Sequence, residues 1–467
     1  MKNTFFHLLF STFSPTEDKQ FKKFVASPYF NGRKQLLLLL DYLVKCKQEG
    51  KVPVAENAFQ AAFPDETFEV KKWRLSLSQL YKLAEQFISL QTRNEDDFLP
   101  KLQLAEAYQK RELDGHLQRT VLSTEKLLAG QKQESARHFE NQYLLEEVRY
   151  RMLSSGKRTE TLNLQETSDA MDTAFIARKL RHACFSISHQ AVYKTEYEFG
   201  LLEAVLDTVS KTPALLAKPA VGLYYHCYIA LTKNNERQFQ TFNQLLSEQA
   251  GRLPKEERQN LYLLAINFGI RQINALRPEY YRPVLDLYKK AIENGLLLQN
   301  GQLSHFAYNN IVAIGLRIGE NEWVGNFIHS FKNHLDRKHR NVTFSLNLAR
   351  LEYAKKNYGE ALLNLQKSDY KDFINNVIAK TLQLKIYYET DELEVLEPHL
   401  RSMKTYIRRK RAFGYHRENY LNIIRFTQAI IELNPFDNKK KNELRKQISG
   451  TERLTEREWL LEMLERV

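Results

Sequence analysis

Glycine and proline are scarce in this chain of 467 residues, at 17 and 12. No proline occurs between Pro100 and Pro213, or between Pro283 and Pro398. Strand-rich folds consume both residues in their turns, so the shortage argues against a sandwich or barrel. Cysteine is scarcer still. Cys46, Cys184 and Cys227 are odd in number, far apart and without a CxxC pair, which argues against a disulfide framework or a zinc site. Cys184 in "HACFSI" and Cys227 in "YYHCYIAL" fall in apolar helical runs and read as small core residues, in keeping with a reducing compartment. No uninterrupted apolar run reaches the length of a membrane span. The opening "MKNTFFHLLFSTFS" has one lysine, an internal histidine and no small-residue cleavage site, and it leads straight into a helix start. It is read as part of the folded chain and not as a leader, so a cytoplasmic protein without membrane association is expected.

Catalytic signatures are missing as well. There is no GxGxxG, no HExxH and no GxSxG, and "SSGKRT" lacks the upstream glycine of a phosphate loop. His182 and His189 are seven apart and could share a helix face, but no third ligand accompanies them. Asn341-Val342-Thr343 is a glycosylation acceptor only in a secreted protein. The sequence nominates no catalytic residue, no metal ligand and no cofactor, and a non-enzymatic role is expected.

What is present is helix. Hydrophobic residues make up 43% and charged residues 27%, ordinary values for a globular protein. Leu, Lys, Glu, Gln and Arg dominate, and all are good helix formers. Ser14-Pro15-Thr16-Glu17 is a capping-box start, and its helix should end near "SPYFNG". "KQLLLLLDYLVKC" follows as an apolar helix. In "FEVKKWRLSLSQLYKLAEQFISLQ", Trp73, Leu77, Leu80, Leu83 and Phe87 fall on one face at steps of three and four. The polar "RNEDDFLP" (93–100) then separates an N-terminal helical domain, 1–100, from a helical array over 101–450. Long helices are predicted at roughly 101–129, 134–154, 168–190, 196–209 and 218–233. Thr455 and Glu458 suggest a second capping box. Trp459, Leu460 and Met463 give the segment 451–467 an apolar edge that could seal the end of an array.

The most informative stretch is "LARLEYAKKNYGEALLNLQ", Leu348 to Gln366. A first helix carries Leu348, Ala349 and Tyr353, and a turn falls near Lys356-Asn357. A second helix carries Tyr358, Ala361, Leu362 and Leu365. Alanines at 349 and 361 would let two antiparallel helices approach closely. Shifted forward by 35, Leu384, Leu393 and Leu396 take the places of Ala349, Tyr358 and Ala361. Shifted back by 35, Ile314, Trp323 and Asn326 do so. Ala230, Phe239 and Phe242 repeat the spacing further back. Asn326, Leu396 and Phe242 are larger than the pattern prefers, and Pro398 should kink its helix.

A small residue, an aromatic nine residues on and a small residue three after that resemble a tetratricopeptide repeat, most clearly over 304–405. The resemblance implies an all-α superhelix of stacked hairpins whose groove binds a protein or peptide partner. It implies groove positions for Arg350 with Tyr353 and for Lys385 with Tyr388, and a comparable place for Tyr308 one repeat earlier. Cation beside aromatic, repeated, could grip an acidic peptide or stack on bases, and tyrosines packed on neighbouring helices beside solvated cations give the same pattern. The Lys and Asn carboxylate clamp of that family is not present here.

Net charge is +13, from 69 Lys and Arg against 56 Asp and Glu. Residues 401–450 hold thirteen Lys and Arg and four Asp and Glu. Arg408, Arg409, Lys410 and Arg411 in "YIRRKRAFGYHRENY", with Lys439, Lys440 and Lys441, make a basic segment (401–446) with aromatics interleaved. It suits polyanions, so association with nucleic acid is the alternative function. Four consecutive cations point all round a helix, however, and a solvated face has the same composition. "AENAFQAAFPDETFEVKKWRLSLSQL" has the outline of a helix-turn-helix, but Trp73 and Leu77 read as core.

Overall fold

A computed structural model describes residues 4–155, 161–193, 195–233, 236–367, 373–409 and 414–467. The described chain is all-α, with twenty-four α-helices and one two-stranded ribbon. It forms two compact units, Met1–Arg178 and Lys179–Val467.

The first unit holds α1 (Phe5–Ser11), α2 (Pro15–Ala26), α3 (Lys34–Gln48), α4 (Ala55–Ala62), α5 (Val70–Asn94), α6 (Phe98–Gln109), α7 (Asp114–Ala129), α8 (Ala136–Ser154) and the beginning of α9 (Leu164–Tyr193). The predicted capping box opens α2. Ser14 accepts from the Glu17 amide, and Glu17 returns the bond to Ser14. The stripe of α5 is buried as its periodicity requires: Trp73, Leu77, Leu80, Leu83 and Phe87 join one core with Phe6, Phe10, Phe21 and Leu39. A second core begins at Phe98 and takes in Leu117, Val121, Leu145 and Val148. The single helix expected over 101–129 is two. Glu112 takes a left-handed conformation, φ 57°, and the Leu113 amide turns back to the Tyr108 carbonyl at 3.0 Å, which ends α6. A glutamate at that position carries none of the glycine signal that marks such a stop.

The second unit continues α9 and adds α10 (Leu202–Lys211), α11 (Pro213–Leu216), α12 (Pro219–Lys233), α13 (Glu236–Gln249), α14 (Lys255–Asn274) and α15 (Tyr281–Glu293). A ribbon, β1 (Leu298–Gln299) and β2 (Gln302–Leu303), precedes α16 (His305–Arg317), α17 (Asn321–Phe331), α18 (Arg340–Ala354), α19 (Tyr358–Gln366), α20 (Phe373–Glu389), α21 (Leu393–Arg409), α22 (Gly414–Ile431), α23 (Asn438–Gly450) and α24 (Arg457–Arg466). The ribbon turns on Asn300-Gly301, both at positive φ, the Asn-Gly chemistry of a tight hairpin.

Consecutive helices pack as hairpins: α12 on α13, α14 on α15, α16 on α17, α18 on α19 and α20 on α21. The first helices also meet across hairpins, α12 with α14, α16 with α18 and α18 with α20. Ala349 and Ala361 are fully buried and share a core with Leu346, Leu365, Ala379 and Ile386. One hairpin back, the small residue is Gly315 and not Ile314. A Cβ on Gly315 would collide with Val324 of α17, and Gly269 of α14 stands in the same relation to Val284 of α15. The close approach therefore lies thirty-four residues before Ala349, one residue off the 35-residue shift. Pro398 sits in the second turn of α21, which runs on through it to Arg409.

Three of these hairpins turn in the same way. Gly319, Lys356 and Asp391 have φ of 80°, 65° and 58°. The next amide in each case, of Glu320, Asn357 or Glu392, donates to the carbonyl five residues back, at 2.9, 2.8 and 2.9 Å. This wrap satisfies orphan carbonyls at the helix end.

Candidate functional site

The C-terminal turns of α16, α18 and α20 place one cation each near a common carboxylate. Arg317 closes α16, Arg350 stands one turn before the end of α18, and Lys385 one turn before the end of α20. Cations belong electrostatically at helix C-termini, where the carbonyls carry partial negative charge. The carboxylate is Glu456, at the N-terminus of α24. Lys385 Nζ lies 2.8 Å from its Oε2. The charge of Lys385 foremost, with those of Arg350 and Arg317, holds the Glu456 carboxyl below its ordinary range. Arg317 also pairs with Glu458.

This arrangement displaces the expected second capping box. Helix α24 starts at Arg457, Glu456 is left-handed at φ 55°, and no side chain caps the helix. Glu456 and Glu458 instead pair with cations on two other helices, Lys385 of α20 and Arg317 of α16.

Next to the ladder, Glu389 ends α20 with its side chain 2% exposed. Its carboxylate accepts four donors: Tyr353 Oη and Trp459 Nε1 (2.8 Å) on one oxygen, Lys356 Nζ (3.0 Å) and Tyr358 Oη (2.5 Å) on the other. A carboxylate has about four lone-pair positions, so its acceptor capacity is filled. Burial alone would raise its pKa. The bonds from Tyr353, Tyr358, Lys356 and Trp459 win and bring it down to about 2. The same carboxylate, together with burial, pushes the Tyr353 hydroxyl far up, burial being the larger cause. Lys356 is raised too, because its bonds to Glu389 and Tyr358 outweigh the burial that would lower it.

Of the groove positions implied by the repeat, Tyr353, Lys385 and Tyr388 come together here. Lys385 Nζ lies 4.7 Å from the centre of the Tyr353 ring and 5.7 Å from that of Trp459. Tyr388 meets Trp459 edge-on at 5.5 Å. Arg350 is half-buried and donates to Asn347 Oδ1 at 3.2 Å; Asn347 in turn donates to Asn309 at 2.6 Å. Tyr308 is not at this surface. It is fully buried, packs on Phe327 and donates to the Ile328 carbonyl at 2.7 Å. Arg317, thirty-three residues before Arg350, takes the place in the ladder that Tyr308 was expected to hold. The 35-residue shift passes over it, because that shift carries Arg350 onto Gly315, two residues before Arg317.

In the basic segment, Arg408 and Arg409 are exposed in the last turn of α21, while Lys410 and Arg411 lie outside the described residues. Lys439 and Lys440 are exposed and Lys441 half-buried in the first turn of α23. Asp437 caps that helix, accepting from the Lys440 amide at 3.0 Å, and offsets cations placed at the unfavourable end of the dipole. Cys46, Cys184 and Cys227 are buried free thiols, the last two as read from their apolar contexts. His182 and His189 turn to Ser186 and Tyr197, and no three His, Cys, Asp or Glu side chains among the described residues could share a metal ion. No helix among the described residues is long and apolar enough to cross a membrane. Comparison with known protein families, with curated proteins and with solved structures finds no match for this chain.

Proposed function

We propose that this chain is a non-enzymatic scaffold that holds an acidic protein or peptide partner on a tetratricopeptide-like superhelix of helical hairpins, with residues 451–467 as its capping segment. Three features support the superhelix. First helices touch from α12 to α14 and from α16 through α18 to α20, each second helix also touches the first helix of the next hairpin, and the same left-handed turn recurs at Gly319, Lys356 and Asp391. The observation that carries the binding role is the ladder: Arg317, Arg350 and Lys385 come from the ends of three successive first helices, with Lys385 on Glu456 at 2.8 Å and Arg317 on Glu458. A solvated cation needs no such register. Repeated, in-register cations with aromatic neighbours suit an extended acidic ligand.

The test is affinity capture from cell extracts with the full chain and with Arg317→Glu/Arg350→Glu. The double variant is expected to lose its partners while keeping its helical circular dichroism. Retention of the same partners by a folded double variant would overturn the proposal.

A further inference from the structure

The ladder already has an occupant, and the occupant is this chain. We infer that the stretch Glu456-Arg457-Glu458-Trp459 sits on the Arg317–Arg350–Lys385 ladder as an internal ligand, and that the partner is a peptide of the same chemistry: two carboxylates two residues apart, followed by an aromatic side chain bearing an N–H or O–H. The inference rests on the scaffold reading and specifies its ligand.

Each part of the stretch has a named receiver. Glu456 lies on Lys385 at 2.8 Å, and Glu458 pairs with Arg317. Trp459 donates its indole N–H to Glu389 at 2.8 Å and sets its ring against Tyr388. The carboxylates meet cations, while the intervening Arg457 turns away and donates to the Thr451 carbonyl. Geometry also shows that these contacts are not demanded by the helix. Glu456 adopts a left-handed backbone, unusual for glutamate, and the helix begins without a side-chain cap. Both carboxylates remain reachable from solvent, Glu456 at 37% and Glu458 at 48% exposure, as does Arg317 at 49%, while Lys385 keeps 12%, so an outside peptide meets Arg317 first and reaches Lys385 where Glu456 gives way. Anchoring is shared with the core, where Leu460, Met463 and Leu464 are buried. An internal ligand of this kind lowers the apparent affinity for the external one by the fraction of chains in which the ladder is free.

The experiment uses the full chain and a synthetic peptide of residues 451–461 as probe. In Glu456→Lys/Glu458→Lys the internal ligand is repelled from the ladder. The peptide is expected to bind this variant at least about tenfold more tightly than the wild type, with affinity falling as salt rises. Adding Lys385→Glu should remove the gain. If the lysine variant loses its helical circular dichroism, Glu456→Gln/Glu458→Gln, of the same shape, is read instead, with the same direction expected. Equal binding to wild type and folded variant, or no binding to the folded variant, overturns the inference. The same variants are carried through the extract capture. Partners lost in Arg317→Glu/Arg350→Glu but not enriched by neutralising Glu456 and Glu458 leave the scaffold reading standing and sink only the internal ligand. Loss of neither sinks the scaffold.

Discussion

Glu389 shows how much one side chain can hold. In the unfolded chain its carboxyl titrates near the ordinary 4.5, and in the fold near 2. The fold therefore favours the ionised form by roughly 3 kcal/mol. That stabilisation is complete above the unfolded value, is lost as pH falls from about 4.5 to about 2, and is gone below. Denaturant unfolding of wild type and Glu389→Gln across this range should show a steep acid limb in the wild type that is flattened in the variant. Parallel limbs would mean that the carboxylate is not the titrating group. The sequence showed the aromatics and Lys385 around it, through the 35-residue shift. It did not show Glu389 as their hub, because two of the four donors, Lys356 and Trp459, lie outside the positions that the repeat aligns. Trp459 comes from seventy residues away.

At the scale of the helical element, periodicity carried the reading. The α5 stripe is buried throughout, and in α19 Ala361 and Leu365 are buried while Tyr358 and Leu362 pack half-buried against the same core. Turn chemistry carried less. Leu276, with φ 64°, ends α14 by the same wrap, Arg277 donating to the Gln272 carbonyl at 3.1 Å. A β-unbranched but non-glycine residue gives no stop signal in sequence, and neither does Glu112, which is why 101–129 read as one helix. Such residues store strain on the order of 1 kcal/mol. Leu276 is 56% exposed, so Leu276→Gly loses little packing and should raise stability by up to about 1 kcal/mol, measured as an upward shift in unfolding midpoint. Gly315→Ala should act in the opposite sense and cost roughly 1–3 kcal/mol, because its Cβ meets Val324 across the α16–α17 crossing. The repeat register was missed by one residue for the same reason: Ile314 matches the apolar pattern, whereas the crossing needs the smallest side chain.

For the whole molecule, the helices of Lys179–Val467 touch mainly their neighbours in sequence. Under the proposed stacking, stability is close to a sum over hairpins and their interfaces, and damage stays local. Hydrogen exchange of Gly315→Ala is expected to quicken in α15 to α18 and to leave α22 to α24 near wild-type rates. Uniform acceleration throughout the unit would indicate a single cooperative core in place of stacked hairpins. The net charge of +13 was plain from composition, but composition could not place it: part of the excess stands solvated on α21 and α23, and part forms the ladder facing Glu456.

In Met1–Arg178, the ammonium of Lys47 on α3 donates to the Phe10 and Phe13 carbonyls at the end of α1, at 3.0 and 2.7 Å, and to Asp18 of α2 at 2.9 Å. All three of its protons are thereby committed to separate acceptors arranged around a single point. A planar guanidinium spreads its donors across a fork and has no such convergent geometry. Arginine, the usual like-for-like exchange for lysine, would therefore be a disruptive one at position 47, and Asp18, 5% exposed, would be the group left to bear it.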